Sequence, residues 1–466
     1  MKFRVKRYKI QISGIVQGVG FRPFIFNLAT QLKLAGFVRN NSSGVYIEVE
    51  GPAEKVKKFI SDIKEKKPKV SKIEQIIYSE LPVKNTEGFK IIKSQKQQKQ
   101  FVHISPDLAT CRECIEELFN PDDRRFFYPF INCTNCGPRF TIIKDIPYDR
   151  DKTTMSEFEM CTLCKQEYEN PADRRFHAQP DACKVCGPHI SLLTNKGKIL
   201  ISGDTKKIIN LCQRLWKKGK IIAIKSLGGY HLTCDAENKD AVIKLRKRKF
   251  RESKPFAIMA ESVKKIRQFC KVSPQESKLL QSEIAPIVLL KKKANINIVE
   301  EVAPDNNFLG VMLPYNPLQH LLLNGSDIVI VATSGNFSEE PILYEDREAL
   351  TRLKHIADFF LIHNRKIYMR CDDSVVRIFE KKPYIIRRAR GYVPNPINLP
   401  ACSPVHILAC GGELKNTFTL IRDNFAFMSQ HIGDMENLQT FEAFQEILSH
   451  FKKIFSIHPE VVVYDM

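Results

Sequence analysis

Apolar and polar residues alternate through Tyr8, Ile10 and Ile12, the pattern of a half-buried strand that runs into Gly14. Residues 21–34 then read as a helix, and Val45, Ile47 and Val49 alternate again as a strand. Val56, Phe59, Ile60 and Ile63 recur at helical spacing over 53–63, and short strands follow near 73–78 and 89–92. The segment Val38-Arg39-Asn40 closes a further strand, so 1–92 reads β-α-β-β-α-β, the order of a ferredoxin-like α+β sandwich.

Polarity then changes. Residues 93–100 (KSQKQQKQ) carry no period and read as a linker before a second unit at 101–195. Over 200–395, strands at 221–224, 256–259, 287–290, 328–332, 359–362 and 374–379 intersperse with helices at 206–217, 239–247, 262–269 and 345–355. That alternation predicts a mixed α/β sheet. Strands at 405–409, 417–421, 426–429 and 461–466 open a fourth unit at 401–466. Some 60 residues are too few to bury a large core unaided.

The second unit has little apolar periodicity and a different organising pattern. Its C-x2-C pairs are Cys111/Cys114, Cys133/Cys136, Cys161/Cys164 and Cys183/Cys186, separated by 18, 24 and 18 residues, so each early cysteine recurs 50 positions later. Asp123-Arg124-Arg125-Phe126 returns as Asp173-Arg174-Arg175-Phe176, and Cys136-Gly137-Pro138 as Cys186-Gly187-Pro188. Two C-x2-C turns supply the four thiolates of a tetrahedral S4 site, so two closed, structural Zn2+ ions are expected. The 18-residue gap favours pairing within each repeat. The repeated Asp-Arg-Arg-Phe is an anion contact or, preferably, an ion pair bracing each finger internally. No aromatic-and-basic recognition helix accompanies the fingers, which argues against double-stranded DNA or RNA as partner.

Composition narrows the classes further. Lys and Arg exceed Asp and Glu by 73 − 52 = 21, an excess that favours anionic partners without choosing among them. No apolar run is long enough to span a membrane. Fourteen cysteines and a basic start without a secretory pattern point to a reducing, cytoplasmic setting.

Two regions carry candidate anion chemistry. Gly14-Ile15-Val16-Gln17-Gly18-Val19-Gly20-Phe21-Arg22 places three glycines and an arginine at a helix start, where backbone N–H groups can converge on a phosphate. Taken alone this is equally a glycine-rich turn, but Asn40 adds an amide able to orient an attacking water. Downstream, Lys249-x-Arg251 with Lys254, Thr333-Ser334-Gly335-Asn336 at a strand end, Asp372-Asp373-Ser374 and Arg387-Arg388-Ala389-Arg390-Gly391 form polar clusters. Each alone reads as a solvated helix face or a turn. The four histidines of the last unit, His406, His431, His450 and His458, are scattered and read as structural.

The first unit resembles acylphosphatases through Arg22 and Asn40, which implies an acyl-phosphate held by Arg22 and a water positioned by Asn40. The third resembles the YrdC-like family, which makes carbamoyl-adenylates from ATP. By that resemblance Lys249, Arg251 and Lys254 neutralise the triphosphate with Mg2+, Ser334 and Asn336 hold nucleotide or carbamate, and Ser374 and Arg388 complete the cavity. The order of units, with the finger text at 129–138 and the run 387–394, is similar to the HypF family, the carbamoyltransferases of NiFe-hydrogenase maturation. The resemblance implies carbamoyl phosphate and ATP as substrates and a HypE-type acceptor protein. It also makes 401–466 the opening of a sugar-kinase/actin-like transferase domain that this sequence does not complete. The rival readings are a threonylcarbamoyl-AMP synthase of tRNA modification and a zinc-stabilised nucleic-acid binder.

Overall fold

The structure, a computed structural model, describes residues 5–16, 18–41, 44–68, 70–92, 104–146, 148–337 and 340–465. The proposed linker at 93–100 lies outside the described residues.

The first sheet is built from β1 (Val5–Ile15), β2 (Ala35–Asn41), β3 (Gly44–Pro52), β4 (Lys72–Leu81) and β5 (Phe89–Ile91), in the order β4-β1-β3-β2-β5. Helices α1 (Phe21–Gln31) and α2 (Ala53–Glu65) cover one face, burying Phe21, Ile25, Val56, Phe59 and Ile63 against Ile10, Ile12, Val38 and Ile47. The expected sandwich is present, with the short strand expected near 89–92 as β5 beside β2. Because β3 runs antiparallel to both β1 and β2, Val45 pairs with Ile12 on one side and Asn40 on the other. The end of β1 that leads to the glycine loop and the end of β2 carrying Asn40 therefore share one sheet edge.

Two short helices, α3 (Arg112–Phe119) and α4 (Thr162–Glu169), each follow the first cysteine of a repeat. The chain then enters a sheet of eleven strands among the described residues. Its first elements are β6 (Ile190–Thr194), β7 (Ile199–Ser202), α5 (Thr205–Lys217), β8 (Ile222–Lys225), β9 (Tyr230–Asp235), α6 (Lys239–Lys249), β10 (Ala257–Met259) and α7 (Val263–Phe269). There follow α8 (Pro274–Leu280), β11 (Ile287–Lys291), β12 (Phe308–Met312), α9 (Pro317–Leu323), β13 (Ile330–Ser334), α10 (Asp346–Arg352), β14 (Phe359–His363), β15 (Val375–Phe379) and β16 (Lys382–Arg387). The strand order is β16-β15-β11-β12-β10-β13-β9-β8-β14-β6-β7. In this register Ser334 pairs with His231, Lys225 with Tyr230, and β14 runs parallel to β8. Ser334, His231, Lys225 and His363 thus line up along one end of the sheet.

The last segment holds β17 (Ile397–Cys410), β18 (Phe418–Met428), α11 (Leu438–Phe455) and β19 (Val461–Val463), in the order β18-β17-β19. The two short strands expected at 417–421 and 426–429 are one continuous strand, bent where Asp423 takes φ 53°. Its core is shared: Phe418, Phe427, Ile447, Phe451 and Phe455 pack with Phe140, Met369 and Val393 from earlier segments. A short segment acquires a dry interior by borrowing side chains from its neighbours. No helix among the described residues is long and apolar enough to cross a membrane.

Candidate metal centres and anion sites

Cys111, Cys114, Cys133 and Cys136 converge in one cluster, and Cys161, Cys164, Cys183 and Cys186 in a second, so the knuckles pair within each repeat. Sulfur–sulfur separations are 3.6 Å for Cys111–Cys133, 3.5 Å for Cys136–Cys114 and 3.8 Å for Cys133–Cys136. The second cluster shows 3.8 Å and 3.6 Å for Cys161–Cys183 and Cys186–Cys164. A tetrahedron with metal–sulfur bonds of about 2.3 Å has edges of about 3.8 Å, so both clusters fit Zn2+ in size, donor type and closed geometry. Hydrogen bonds within the first cluster, that from Cys114 foremost, pull Cys111 down to about 6.

Four thiolates around Zn2+ carry a net double negative charge, and the repeated arginines meet it in an unexpected way. Arg174 Nη2 donates to Cys114 Sγ at 2.9 Å and its Nε to Glu117 at 2.9 Å. Arg124 Nη2 donates to Cys164 Sγ and to Glu167, each at 2.9 Å. Arg175 pairs with Glu117 and Arg125 with Glu167, while their Nε atoms cap Asn132 O at 3.1 Å and Ala182 O at 3.0 Å. The expectation of braces internal to each finger is largely corrected: the arginine–glutamate and arginine–sulfur braces all cross to the other repeat, while Arg175 Nε also lies 3.5 Å from Asp181 within its own. The physical reason is the pseudo-twofold packing, which leaves each Asp-Arg-Arg turn over its partner's helix.

The glycine loop of the first unit abuts this module. Gly20 caps α1 with φ 71°, and a Cβ there would stand 3.0 Å from Thr134 Oγ1 and 3.2 Å from Asn135 Oδ1. The backbone conformation and the packing both demand glycine. Arg22, one residue into α1, is half-buried; burial lowers its pKa, while Asp149 and Tyr168 of the finger segment oppose that shift. Asn40 Oδ1 is buried without a hydrogen-bond partner among the described residues, an acceptor free to orient a water at the same sheet edge.

In the large sheet, Lys249, Ser334 and Asn336 are in direct contact. The fully buried Lys249 Nζ donates to Ser334 O at 2.9 Å, to Asn336 Oδ1 at 2.6 Å and to Asn336 O; Ser334 Oγ donates to Asn336 Oδ1 at 2.8 Å. Burial, followed by the charge of Arg251, pushes Lys249 down to about 7. Arg251 turns to Lys254 O at 3.1 Å and Pro255 O at 2.8 Å over the Phe256 ring, and burial lowers it to about 10. Lys254 is exposed. Ser374 and Arg388 sit in a different setting. The buried Ser374 hydroxyl donates to Arg390 O and accepts from Ala389 N, while Arg388 holds Met428 O at 3.0 Å and Asn395 O at 2.6 Å, clasping the last segment. Between them, Asp373 takes Arg390 Nε at 2.6 Å and His231 Nε2 at 3.1 Å, and Asp372 takes His431 Nδ1 at 3.1 Å. His231 and Lys225 carry no sequence signal because they lie in strands without period-2 alternation. His431 reads as structural in the sequence, where no neighbouring ligand marks it.

Comparison with known proteins places these features together. The acylphosphatase family model matches residues 8–91, the HypF finger model 110–143 and 160–193, the Sua5/YciO/YrdC model (described as telomere recombination) 214–389, and the HypF Kae1-like domain model 403–466. That succession defines a multidomain protein with a phosphatase-type and a nucleotide-type α/β unit joined by paired fingers. The carbamoyltransferase HypF of Synechocystis sp. is 46% identical over 99% of this chain and 60% of its own length. That of Rhizobium leguminosarum bv. viciae is 42% identical over 99% and 59%. Solved structures agree: full-length HypF in a phosphate- and nucleotide-bound form superposes with a TM-score of 0.93 at 50% identity, covering 99% of this chain and 60% of that one. T. kodakarensis HypF gives 0.85 at 43%, covering 99% and 59%. The chain belongs to the HypF family, and it spans about 60% of the length of these relatives.

Proposed function

We propose that this chain carries the first two reactions of carbamoyltransfer, acting through units at 1–92, 101–195, 200–395 and 401–466. Carbamoyl phosphate is hydrolysed to carbamate and phosphate, with Arg22 and the glycine loop holding the phosphoryl oxygens and Asn40 orienting the water. Catalysis there is positioning and charge stabilisation, with no covalent intermediate. A carbamate oxygen then attacks the α-phosphorus of ATP, forming carbamoyl-AMP and releasing pyrophosphate. Lys249, Arg251 and Lys254 would neutralise the triphosphate, with Mg2+ supplying further positive charge, while Ser334 and Asn336 hold nucleotide or carbamate. Ser374 and Arg388 would support the cavity wall from behind. In the complete reaction the carbamoyl group passes to a cysteine of a HypE-type acceptor in the cytoplasm. The two Zn2+ ions brace the module between the sites.

The observation that carries this reading is the finger knuckle Cys133–Cys136. Its Thr134 and Asn135 meet the glycine loop on one side, while the adjoining Gly137 and Pro138 border a cleft with Lys225 of the large sheet on the other. A labile carbamate formed at one site gains from a short protected passage to the next. Phosphate release from carbamoyl phosphate, measured beside ATP–pyrophosphate exchange, tests it. Exchange stimulated by carbamoyl phosphate supports the proposal; exchange requiring threonine instead, or tight RNA binding with no exchange, overturns it.

A further inference from the structure

The cleft between the first finger and the large sheet is lined by Phe130, Pro138, Lys225, Tyr315, His363 and Arg365 among others. Arg365 lies two residues past the end of β14 and is 4% exposed. Its guanidinium makes no hydrogen bond or ion pair with any described residue, Nε is buried without a partner, and the ring of Phe130 lies 5.3 Å away. A buried guanidinium with no paired carboxylate is costly: burial lowers the Arg365 pKa to about 10, and the charges of Tyr128 and Asp107 offset that only in part.

Its neighbours do not neutralise it. Lys225 Nζ is committed to Asp346 at 2.6 Å and to His363 O at 3.1 Å, so that pair cancels. His363 Nδ1 is buried without a partner and Nε2 lies 3.4 Å from Ser226 O; burial, then Lys225 and Arg365, hold the ring well below its usual pKa and therefore uncharged. The Tyr315 hydroxyl is 2.9 Å from Ser226 Oγ. A guanidinium without a hydrogen-bond partner is left in the cleft, beside an imidazole whose Nδ1, with Nε2 turned to Ser226 O, can only accept. That combination suits a small anion whose planar oxygens a guanidinium fork grips in two places and whose N–H or O–H hydrogen Nδ1 of His363 accepts.

We propose that Arg365, with His363, forms a third anion site, distinct from the glycine loop and from Lys249, that holds a planar one-carbon oxyanion. Resting on the proposed function, the occupant is carbamate in transit, and bicarbonate has the same shape and charge. Position supports this: the cleft is walled by Gly137 and Pro138, next to the knuckle that touches the glycine loop, and Lys225 lies on the sheet end that leads through His231 to Ser334. A waystation here would hold carbamate between its formation and its use.

The test uses the full chain with its zinc and the stable probe 13C-bicarbonate, whose resonance broadens on binding. In Arg365→Gln the broadening should fall about tenfold, as when a charge-assisted contact is removed, and Arg365→Lys should restore part of it. Zinc content equal to wild type shows that the fold survives, and phosphate release from carbamoyl phosphate should stay unchanged because Arg22 and Asn40 are untouched. Broadening undiminished in Arg365→Gln overturns the site. Wild-type chain that releases no phosphate from carbamoyl phosphate refutes the catalytic reading instead, and the bicarbonate comparison still decides whether Arg365 binds an anion.

Discussion

Arg174 donates a 2.9 Å hydrogen bond to the sulfur of Cys114, 60 residues away and in the other zinc cluster. Arg124 makes the mirror contact to Cys164 at 2.9 Å. Each metal centre therefore depends on charge supplied by the opposite repeat. Arg174→Ala should loosen the Cys111 cluster and leave the Cys161 cluster close to wild type, by about 1.5–3 kcal/mol for a hydrogen bond to a charged group. Chelator-driven zinc release, resolved into its two phases, checks this. Faster release from the cluster of Arg174's own repeat alone would show that the crossed contact carries no weight. Losing either ion outright removes on the order of 10 kcal/mol from the module.

The Arg390–Asp373 pair is a second buried brace, and Arg390 lies 3.4 Å from the centre of the Tyr315 ring. Burial alone would raise the Asp373 pKa, but Arg390 and then His231 hold it well below the ordinary carboxylate value. A depressed carboxylate contributes stability above its unfolded pKa and loses it only as pH falls through the folded value. Stability from this pair should thus persist throughout the neutral range. Asp373→Ala should cost about 3–5 kcal/mol, the penalty of a buried charge left alone. Thermal melts at neutral pH measure it, and a loss under about 1 kcal/mol would contradict the burial of the pair.

Lys249 presents the opposite case. With its pKa pushed down to about 7 by burial, the ammonium is disfavoured above neutral pH, and stability from this group rises with pH between about 7 and the unfolded value of 10.5. A triphosphate beside it reverses the preference. Nucleotide binding at pH 8 should therefore be accompanied by uptake of up to about one proton, seen as a buffer-dependent heat in calorimetry, and Lys249→Met should abolish that uptake. Binding without proton uptake would remove Lys249 from the nucleotide site.

What could be read from residues alone followed the strength of the local signal. The cysteine period announced both metal centres, and the alternation around Ile10, Ile12 and Val45 placed the first sandwich. The crossing of Arg124 and Arg174 was invisible because it depends on how two similar fingers pack, which no spacing within one repeat encodes. Strand β16 carries a weak signal in sequence, since Pro383 suits only an edge, and an edge is where the strand lies. Helix α11 is absent from the sequence expectations although Phe444, Ile447, Phe451 and Ile454 recur at helical spacing. Arg365 carried no signal at all: a lone basic residue becomes notable only once its burial and missing partner are known.

The coupling of the two proposed sites is tested most directly by ATP–pyrophosphate exchange in Arg22→Ala supplied with carbamoyl phosphate. Removing the guanidinium should lower both phosphate release and exchange by roughly 10²–10³-fold, the scale of losing one electrostatic contact to the reacting group, with zinc content unchanged. Exchange that continues at the wild-type rate while phosphate release has stopped would contradict the account, because the adenylating site would then not depend on carbamate made at the glycine loop.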